Sequence, residues 1–393
     1  MRSIIRELVA EYRRIFSDPG AVLILVGALV LYAFFYPIPY RAQVLKEVPI
    51  VVVDQDQSDL SRRLVRMVDA HDLTRVVAQA AGMAEAEAAV RAGSAGGVVV
   101  IPAEFERRLR RGEQAFVMAY TDASYFLIYR QALTGILEAT GTLSAGVEVR
   151  RLMAEGMPAD RAMKARDPLP LLMRPLFNPA EGYDAYVVPA VLVLILQQTL
   201  LVGLGLVRGT ARERNVAARG SVFPQASSPP AGTDPSAIAS LVGKTAAYYT
   251  LYLAHALFYF GIVYRLYGFP ERADALTLFR FATPFLLSVI FLGLALRALF
   301  RTREMALQVL LFTSLPALFL SGFAWPVEAL PRWLATFAKA LPSTSAIPGF
   351  LRLTQMGATL QDVRVEWLML WSLCGVYFAA AWAAEWMDKR AGT

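Results

Sequence analysis

Residues 184–207 read DAYVVPAVLVLILQQTLLVGLGLV, a run whose only charged side chain is Asp184. As a helix rising about 1.5 Å per residue, this run is long enough to cross the hydrocarbon core of a bilayer, which is about 30 Å thick. The composition agrees, since 56% of the 393 residues are hydrophobic, 18% are charged and the mean hydropathy is +0.45. Such values are atypical of soluble globular chains and indicate a membrane protein.

Other long apolar runs occur along the chain. Residues 21–37 follow an arginine-containing segment but lack a small-residue cleavage site, so they are interpreted as an uncleaved anchor. The formal charge is +7, and the basic residues cluster at the ends of apolar runs. This pattern favours a lipid bilayer as partner and argues against nucleic acid. Cys374 is the single cysteine, which excludes an intrachain disulfide. Six membrane helices are predicted at 21–37, 184–207, 245–264, 281–300, 305–323 and 366–386.

Short segments rich in Lys and Arg set the predicted orientation, because such segments stay on the cytoplasmic side. Both termini and the segment after helix two are then inside. Residues 41–182, 265–280 and 324–365 are outside. The basic residues behind this prediction are Arg2, Arg6, Arg13 and Arg14, then Arg208, Arg212, Arg214 and Arg219, then Arg301 and Arg303, and finally Lys389 and Arg390.

The first twenty residues form a separate element. Ile5, Leu8, Tyr12 and Ile15 recur at three-to-four spacing among charged residues, and Asp18-Pro19-Gly20 ends the pattern. This predicts an amphipathic elbow helix that lies on the inner membrane surface. The alternative is a simple positively charged anchor with no further role.

The region between helices one and two has a different pattern. Residues 48–157 alternate strand-like and helix-like stretches, β-α-β-α-β-α-β-α, and residues 50–53 and 98–101 are continuous apolar runs typical of strands buried on both faces. We expect an extracytoplasmic α/β domain. Asp54, Asp56 and Asp59 resemble a short calcium-ligand series, but the later Gly and Glu of that loop are missing, so a capping role for Asp54 is favoured.

Polar residues within the predicted spans are candidate functional residues, because polar groups in lipid need partners or water. Gln197, Gln198 and Thr199 lie in helix two and His255 in helix three. They either line a polar translocation path or hydrogen-bond between helices, and both interpretations stay open. Gly203 and Gly205 indicate close helix contact.

Gly243-Lys244-Thr245 resembles the end of a phosphate-binding loop. The Gly that this motif requires five residues before Gly243 is Ile238, and no buried strand precedes it. The chain is therefore predicted to have no nucleotide site, and Lys244 to anchor the inner end of helix three.

Helix five is interrupted by Ser321-Gly322-Phe323-Ala324-Trp325-Pro326, and three further prolines follow. A broken helix at membrane depth survives only where protein or a water-filled cavity satisfies its backbone. Residues 321–360 are thus predicted to be a re-entrant outer segment, with a gate at Gly322, Phe323, Trp325 and Pro326. The chain as a whole is predicted to be an α-helical polytopic membrane protein divided into 1–20, 21–40, 41–182 and 183–393, with a cytoplasmic loop at 208–243.

Several short motifs follow one another along the chain. They are Ser17-Asp18-Pro19, VVVDQDQS at 51–58, VVIPAEFE at 99–106 followed by Arg111-Gly112, Phe177-Asn178-Pro179, the 321–326 stretch, and Leu341-Pro342-Ser343-Thr344. Together they make nearly the whole chain resemble the permease subunit of type-2 ATP-binding-cassette (ABC-2) transporters, in the bacterial exporter branch with a large extracytoplasmic insert. The family's R-E-R-E-x-G-T stretch is only partly present, as Arg212-Glu213-Arg214.

The resemblance implies an exporter in the bacterial inner membrane, with two permeases, identical or sister chains, and two separate ATPase subunits that hold ATP and Mg²⁺. This chain would then be no enzyme and would bind no cofactor. An amphipathic drug or lipid is the expected substrate, and a membrane-fusion or periplasmic adaptor is an expected partner of the insert. The expected ATPase contact residues are Arg6, Arg13, Arg14, Arg212, Glu213 and Arg214.

The sequence is less consistent with two other classes of protein. A membrane sensor that signals from the α/β insert would need a cytoplasmic output domain, for which the sequence offers no candidate. An intramembrane enzyme would need paired acidic residues or clustered histidines within the spans, and none are evident.

The predicted orientation places Gly112 outside and Ser228 inside. In a chain whose Cys374 is replaced by Ala, Gly112→Cys and Ser228→Cys should react with an impermeant thiol reagent from opposite sides of the membrane. Reaction of both from one side would contradict the six-helix topology.

Overall fold

The computed structural model describes residues 1–40, 44–179, 181–220, 236–296, 299–300 and 302–390, without the side chains of 215–220 and 389. Residues 221–235, which include Ser228 and part of the predicted cytoplasmic loop, lie outside this range, as do Arg301 and the side chains of Arg219 and Lys389. The chain divides into two compact units. One comprises Met1–Gln43 and Pro175–Thr393 and the other Val44–Arg174.

The chain begins with helix α1 (Arg2–Phe16), which ends where Asp18-Pro19-Gly20 predicts a stop. The carboxylate of Asp18 then accepts hydrogen bonds from the backbone N–H groups of Gly20 and Ala21 at 2.9 and 3.2 Å, which caps the next helix. That helix continues as α2 (Pro19–Val22), a π-turn (Leu23–Gly27), α3 (Ala28–Phe35) and a short 3₁₀ turn (Ile38–Tyr40).

The second unit holds a four-stranded sheet with strand order β2-β1-β3-β4. Strand β1 pairs in parallel with β2 and β3, and β4 is antiparallel to β3. The elements in chain order are β1 (Val48–Asp54), α4 (Asp59–Asp69), β2 (Thr74–Gln79), α5 (Met83–Arg91), β3 (Gly97–Ile101), α6 (Phe105–Arg110), β4 (Met118–Thr121), α7 (Phe126–Ala154) and α8 (Ala159–Arg166).

Alternating side chains of β1 and β3 fill two separate cores. Ile50 and Val52 face α4 and α7, whereas Val51 and Val53 face α5. Burial on both faces explains the uninterrupted valine runs.

The carboxylates at the end of β1 have structural partners. Asp54 accepts from the N–H groups of Asp56 and Gln57 and from the Ser61 hydroxyl, and Asp56 caps α6 through the N–H groups of Phe105 and Glu106. The contacts of Asp54 with Asp56, Gln57 and Ser61 agree with the capping role that the sequence favoured for it.

The first unit continues with a series of helices. They are α9 (Tyr183–Gly220), α10 (Ala237–Leu257), a π-turn (Phe258–Val263), α11 (Tyr264–Tyr267), α12 (Ala275–Leu296), α13 (Arg303–Phe312), α14 (Ser314–Leu320), a 3₁₀ turn (Val327–Ala329), α15 (Arg332–Ala338), α16 (Pro342–Met356) and α17 (Arg364–Arg390). Within the described residues, six segments are long and apolar enough to cross a membrane: Pro19–Tyr40, Tyr183–Arg214, Ala237–Tyr267, Ala275–Leu296, Arg303–Leu320 and Arg364–Asp388.

Helix α9 lies at the centre of this unit. In its most apolar stretch 89% of the residues are buried, against 67% or less for the other five spans. It packs against α3, α10, α12, α13 and α16. The close contacts predicted at Gly203 and Gly205 are present, because an added Cβ would come within 2.1 Å of Leu25 and 2.9 Å of Ala306.

Candidate functional site

Helix α1 lies tightly against α10. At Gly243, an added Cβ would lie 2.9 Å from the carbonyl oxygen of Ile4 and 2.5 Å from the Cβ of Glu7, so the two helices approach without intervening side chains. Two hydroxyl contacts accompany this approach. The Tyr248 hydroxyl donates to the buried carboxylate of Glu11 at 3.0 Å, and the hydroxyls of Tyr12 and Thr250 are 2.8 Å apart.

Asp18 joins the start of the first span to the end of α9. One carboxylate oxygen caps α2, and the other accepts from the Thr210 hydroxyl at 2.6 Å. Burial alone would raise the pKa of Asp18, but the hydrogen bonds from Thr210, Ala21 and Gly20 and the nearby charge of Arg303 outweigh burial and lower the pKa. Asp18 therefore stays ionised and keeps these contacts.

The end of α9 also holds two other helices. Glu213 accepts a hydrogen bond at 2.8 Å from the backbone N–H of Arg303, the first residue of α13, where a negative charge is favourable. Arg208 forms an ion pair with Asp388 of α17 at 2.6 Å.

A buried ion pair joins α10 to α17. The ammonium of Lys244 lies 2.7 Å from a carboxylate oxygen of Glu385, with side chains that are 11% and 5% exposed. Ser240 donates to the same oxygen at 2.7 Å. Lys244 thus pairs with Glu385 inside the protein. The sequence predicted only that Lys244 anchors the inner end of helix three.

These contacts form one group at the end of the unit where α1 lies, and we call it the terminal polar cluster. Its charged members are Glu11, Asp18, Arg208, Glu213, Lys244, Glu385 and Asp388. Sequence reasoning missed Glu11, Glu385 and Asp388. A usable signal was present, because acidic residues close to or within an apolar run require a partner.

The structure separates the predicted ATPase-contact residues into two groups. Glu213 contacts α13, and Arg14 pairs with Glu11 at 2.7 Å. The second group consists of arginines: Arg6, Arg13 and Arg214 are exposed, and Arg212 is half-buried. Their contact with an ATPase stays a prediction.

The four polar residues predicted within the spans have different surroundings. The Gln197 carboxamide accepts from the Ser343 N–H at 2.8 Å and donates to the Ser343 hydroxyl at 3.1 Å, which caps α16. Thr199 accepts from the Tyr252 hydroxyl at 3.0 Å. Gln197 and Thr199 therefore hydrogen-bond between helices.

Gln198 and His255 differ from these two. In the described part of the chain, neither the buried Oε1 of Gln198 nor the Nε2 of His255 has a hydrogen-bond partner. The His255 ring stacks on Tyr252, with 5.5 Å between ring centroids. A role of all four residues in a translocation path stays a prediction.

Helix α16 runs antiparallel along α9. It begins beside Gln197, and near its other end the Gln355 side chain donates to the Ala185 carbonyl. Because 12 residues of helix separate Ala185 from Gln197, α16 covers about 18 Å of the length of α9. The Thr344 hydroxyl also donates to the Leu320 carbonyl at 3.1 Å, which joins α16 to the end of α14.

The predicted gate residues follow α14 directly. Gly322 has φ +86°, a left-handed conformation that favours glycine. Phe323 is 9% exposed and its carbonyl accepts from the Tyr186 hydroxyl, whereas Trp325 is 55% exposed. Pro326 precedes the 3₁₀ turn. Phe323 is therefore part of the core and Trp325 is not, and a gate at these residues stays a prediction.

Within the described residues there are six membrane-length segments, one of which is the enclosed helix α9, and charge pairs join some of their ends. These features define a polytopic membrane protein. The family described as ABC-2 family transporter protein matches residues 20–383, and the chain belongs to it. It is a membrane subunit of an ABC transporter rather than a catalytic subunit.

Three relatives resemble the chain over most of its length. The linearmycin resistance permease protein LnrN of Bacillus subtilis (strain 168) is 24% identical over 97% of both chains. Two probable multidrug ABC transporter permeases of Escherichia coli (strain K12) are also similar. YbhS is 25% identical over 85% of this chain and 84% of its own, and YbhR is 23% identical over 97% and 96%.

The Lys244–Glu385 pair allows a direct test of the terminal polar cluster. Lys244→Met leaves a buried carboxylate without its ammonium and should lower the free energy of unfolding by about 3–5 kcal/mol. Lys244→Met combined with Glu385→Leu removes both charges and should recover most of that loss. Thermal unfolding in one detergent measures both. A double variant no more stable than the single one would show that the loss does not come from an unpaired buried carboxylate.

Proposed function

We propose that this chain is the membrane-spanning subunit of an ATP-driven exporter that moves an amphipathic drug or lipid-like molecule out of the cytoplasm or the inner membrane. ATP and Mg²⁺ would be held by separate ATPase subunits. Family membership supports a transporter, and the resistance and multidrug names of the relatives support export. They give no support to a membrane sensor.

The observation that carries this proposal is the attachment of α1 to the helix bundle. An ATPase that displaces α1 would move α10 through the Gly243 contact and the Glu11–Tyr248 hydrogen bond, and α9 through Asp18 and Thr210. Such a rigid connection suits a two-state rocking motion of packed helices.

Arginines of α1 and of the C-terminal part of α9 are the proposed ATPase-facing residues. In the proposed orientation both termini and residues 208–243 are cytoplasmic, and Arg6, Arg13, Arg14, Arg212 and Arg214 face the ATPase as a charged rim that guides its association. Glu213 takes part indirectly by positioning α13. A second copy or a sister permease would complete the pathway, and the insert would lie outside the bacterial inner membrane, where an adaptor could dock.

The substrate path is proposed along α9 and α10. Within the described residues, the buried Oε1 of Gln198 and Nε2 of His255 have no hydrogen-bond partner. We infer that they bind the polar part of a molecule whose remainder is apolar. Gln197 and Thr199 would keep the neighbouring helices in position.

The segment 321–360 is proposed to be re-entrant on the outer side. An α16 that covers about 18 Å of α9 penetrates more than half of a hydrocarbon core of about 30 Å. Its first N–H groups need a partner at that depth, and Gln197 supplies one.

The attachment of α1 predicts a coupling defect. Tyr248→Phe combined with Tyr12→Phe removes both hydroxyl contacts between α1 and α10, so export per ATP should fall several-fold in proteoliposomes that contain the ATPase subunit, while ATPase binding persists. Tyr249→Phe is the matched control, because its hydroxyl contacts Thr283 of α12 instead. Unchanged export per ATP in the double variant would reject transmission through these two hydroxyl contacts. Failure of every amphipathic substrate tested with the wild-type pair would reject the export proposal itself.

The gate proposal distinguishes two neighbouring aromatic residues. Phe323→Ala together with Trp325→Ala should raise ATP hydrolysis that is uncoupled from export, because an apolar closure is lost. Phe323→Ala alone should produce most of the effect, since Phe323 is buried and Trp325 is exposed. A normal ratio of ATP consumed to substrate exported, in a folded double variant, would leave Trp325 as an interfacial anchor and reject the gate.

A further inference from the structure

An exposed apolar segment follows helix α8. Among the described residues, five large side chains between positions 169 and 176 are 76% to 88% exposed: Leu169, Leu171, Leu172, Met173 and Leu176. Single exposed apolar residues are ordinary, but a contiguous group of them indicates a surface that is covered by something else. We call residues 169–176 the tether segment.

The backbone of the tether segment suits an interface rather than the interior of a membrane. Residues 169–176 belong to neither a helix nor a strand, and Pro170 and Pro175 prevent a helix. The remaining amide groups need water or lipid headgroups, which the hydrocarbon core lacks. Arg174 lies among the apolar side chains and can pair with a lipid phosphate.

The end of the tether segment is attached near the ends of membrane spans. The next residue, Phe177, lies under the guanidinium of Arg272 at 5.8 Å, and the Arg272 N–H donates to the Thr354 carbonyl at 2.9 Å. Arg272 follows the third span and precedes the fourth. Leu172 is five residues from Phe177, so chain length keeps it within about 18 Å of that attachment.

Four tyrosines lie where the first membrane span ends and the second begins. Tyr36, Tyr40, Tyr183 and Tyr186 form a chain of contacting rings, with centroids 5.5 to 6.5 Å apart, at the end of the first span and the start of the second. Tyrosine is enriched where a span meets the headgroup layer. Phe177 is only six residues before Tyr183, which places the attached end of the tether segment near this layer.

We propose that the tether segment lies in the headgroup layer of the membrane, with its leucine and methionine side chains inserted among the lipids. A lipid surface can meet the apolar side chains, the backbone amides outside helices and strands, and Arg174 at the same time. This proposal depends on the membrane spans and not on the transported substrate.

The test uses the full chain in phosphatidylcholine–phosphatidylglycerol nanodiscs, with Cys374 replaced by Ala. Leu172→Cys is labelled with a nitrobenzoxadiazole fluorophore, and Val77→Cys, exposed on β2, is the control. The label at position 172 should emit at shorter wavelength than the control and resist iodide. Lipids with a nitroxide near the headgroup should quench it more than lipids with a nitroxide near the chain end.

Each other outcome overturns the proposal. Long-wavelength emission with iodide quenching at position 172 would mean exposure to water. Short-wavelength emission without quenching by either nitroxide lipid would mean coverage by protein, such as a second copy of the chain. Replacing Leu169, Leu171 and Met173 by Ser should weaken lipid quenching at position 172 and leave the Val77 label unchanged, whereas undiminished quenching would show that these side chains do not hold the segment in lipid.

Discussion

The Gln197 carboxamide holds the N-terminus of α16 against the middle of α9, and the start of α16 inside the helical unit depends on that contact. The first N–H groups of a helix have no partner within it, and lipid offers none. By accepting from the Ser343 N–H, Gln197 lets a helix begin inside the unit. The Gln355–Ala185 and Thr344–Leu320 contacts then attach the rest of α16.

At the end of the unit where α1 lies, charged groups join the helices. Lys244–Glu385, Arg208–Asp388 and Asp18–Thr210 each join helices that are distant in sequence. Buried ion pairs add little net stability compared with apolar packing, but a wrong helix arrangement leaves a charge unpaired. The cluster therefore contributes more to the choice of helix arrangement than to stability.

The second unit, Val44–Arg174, is stabilised mainly by apolar packing. Its central strands are buried on both faces, so apolar packing by α4 and α7 on one side and α5 on the other stabilises the sheet. The acidic residues after β1 cap local turns and α6. Asp54 and Asp56 thus accept hydrogen bonds from backbone N–H groups in this unit.

The sequence alone determined the six spans, the order of strands and helices in the insert and the helix stop at Asp18. These features depend on run length, periodicity and capping, which are local properties of the chain. Only the tertiary structure decided what the polar groups do. Neighbouring residues of a helix point about 100° apart, so Gln197 caps α16 while the Oε1 of Gln198 next to it has no partner in the described chain. Glu385 likewise meets Lys244 across 141 positions of sequence, because helix packing and not chain order brings the two charges together.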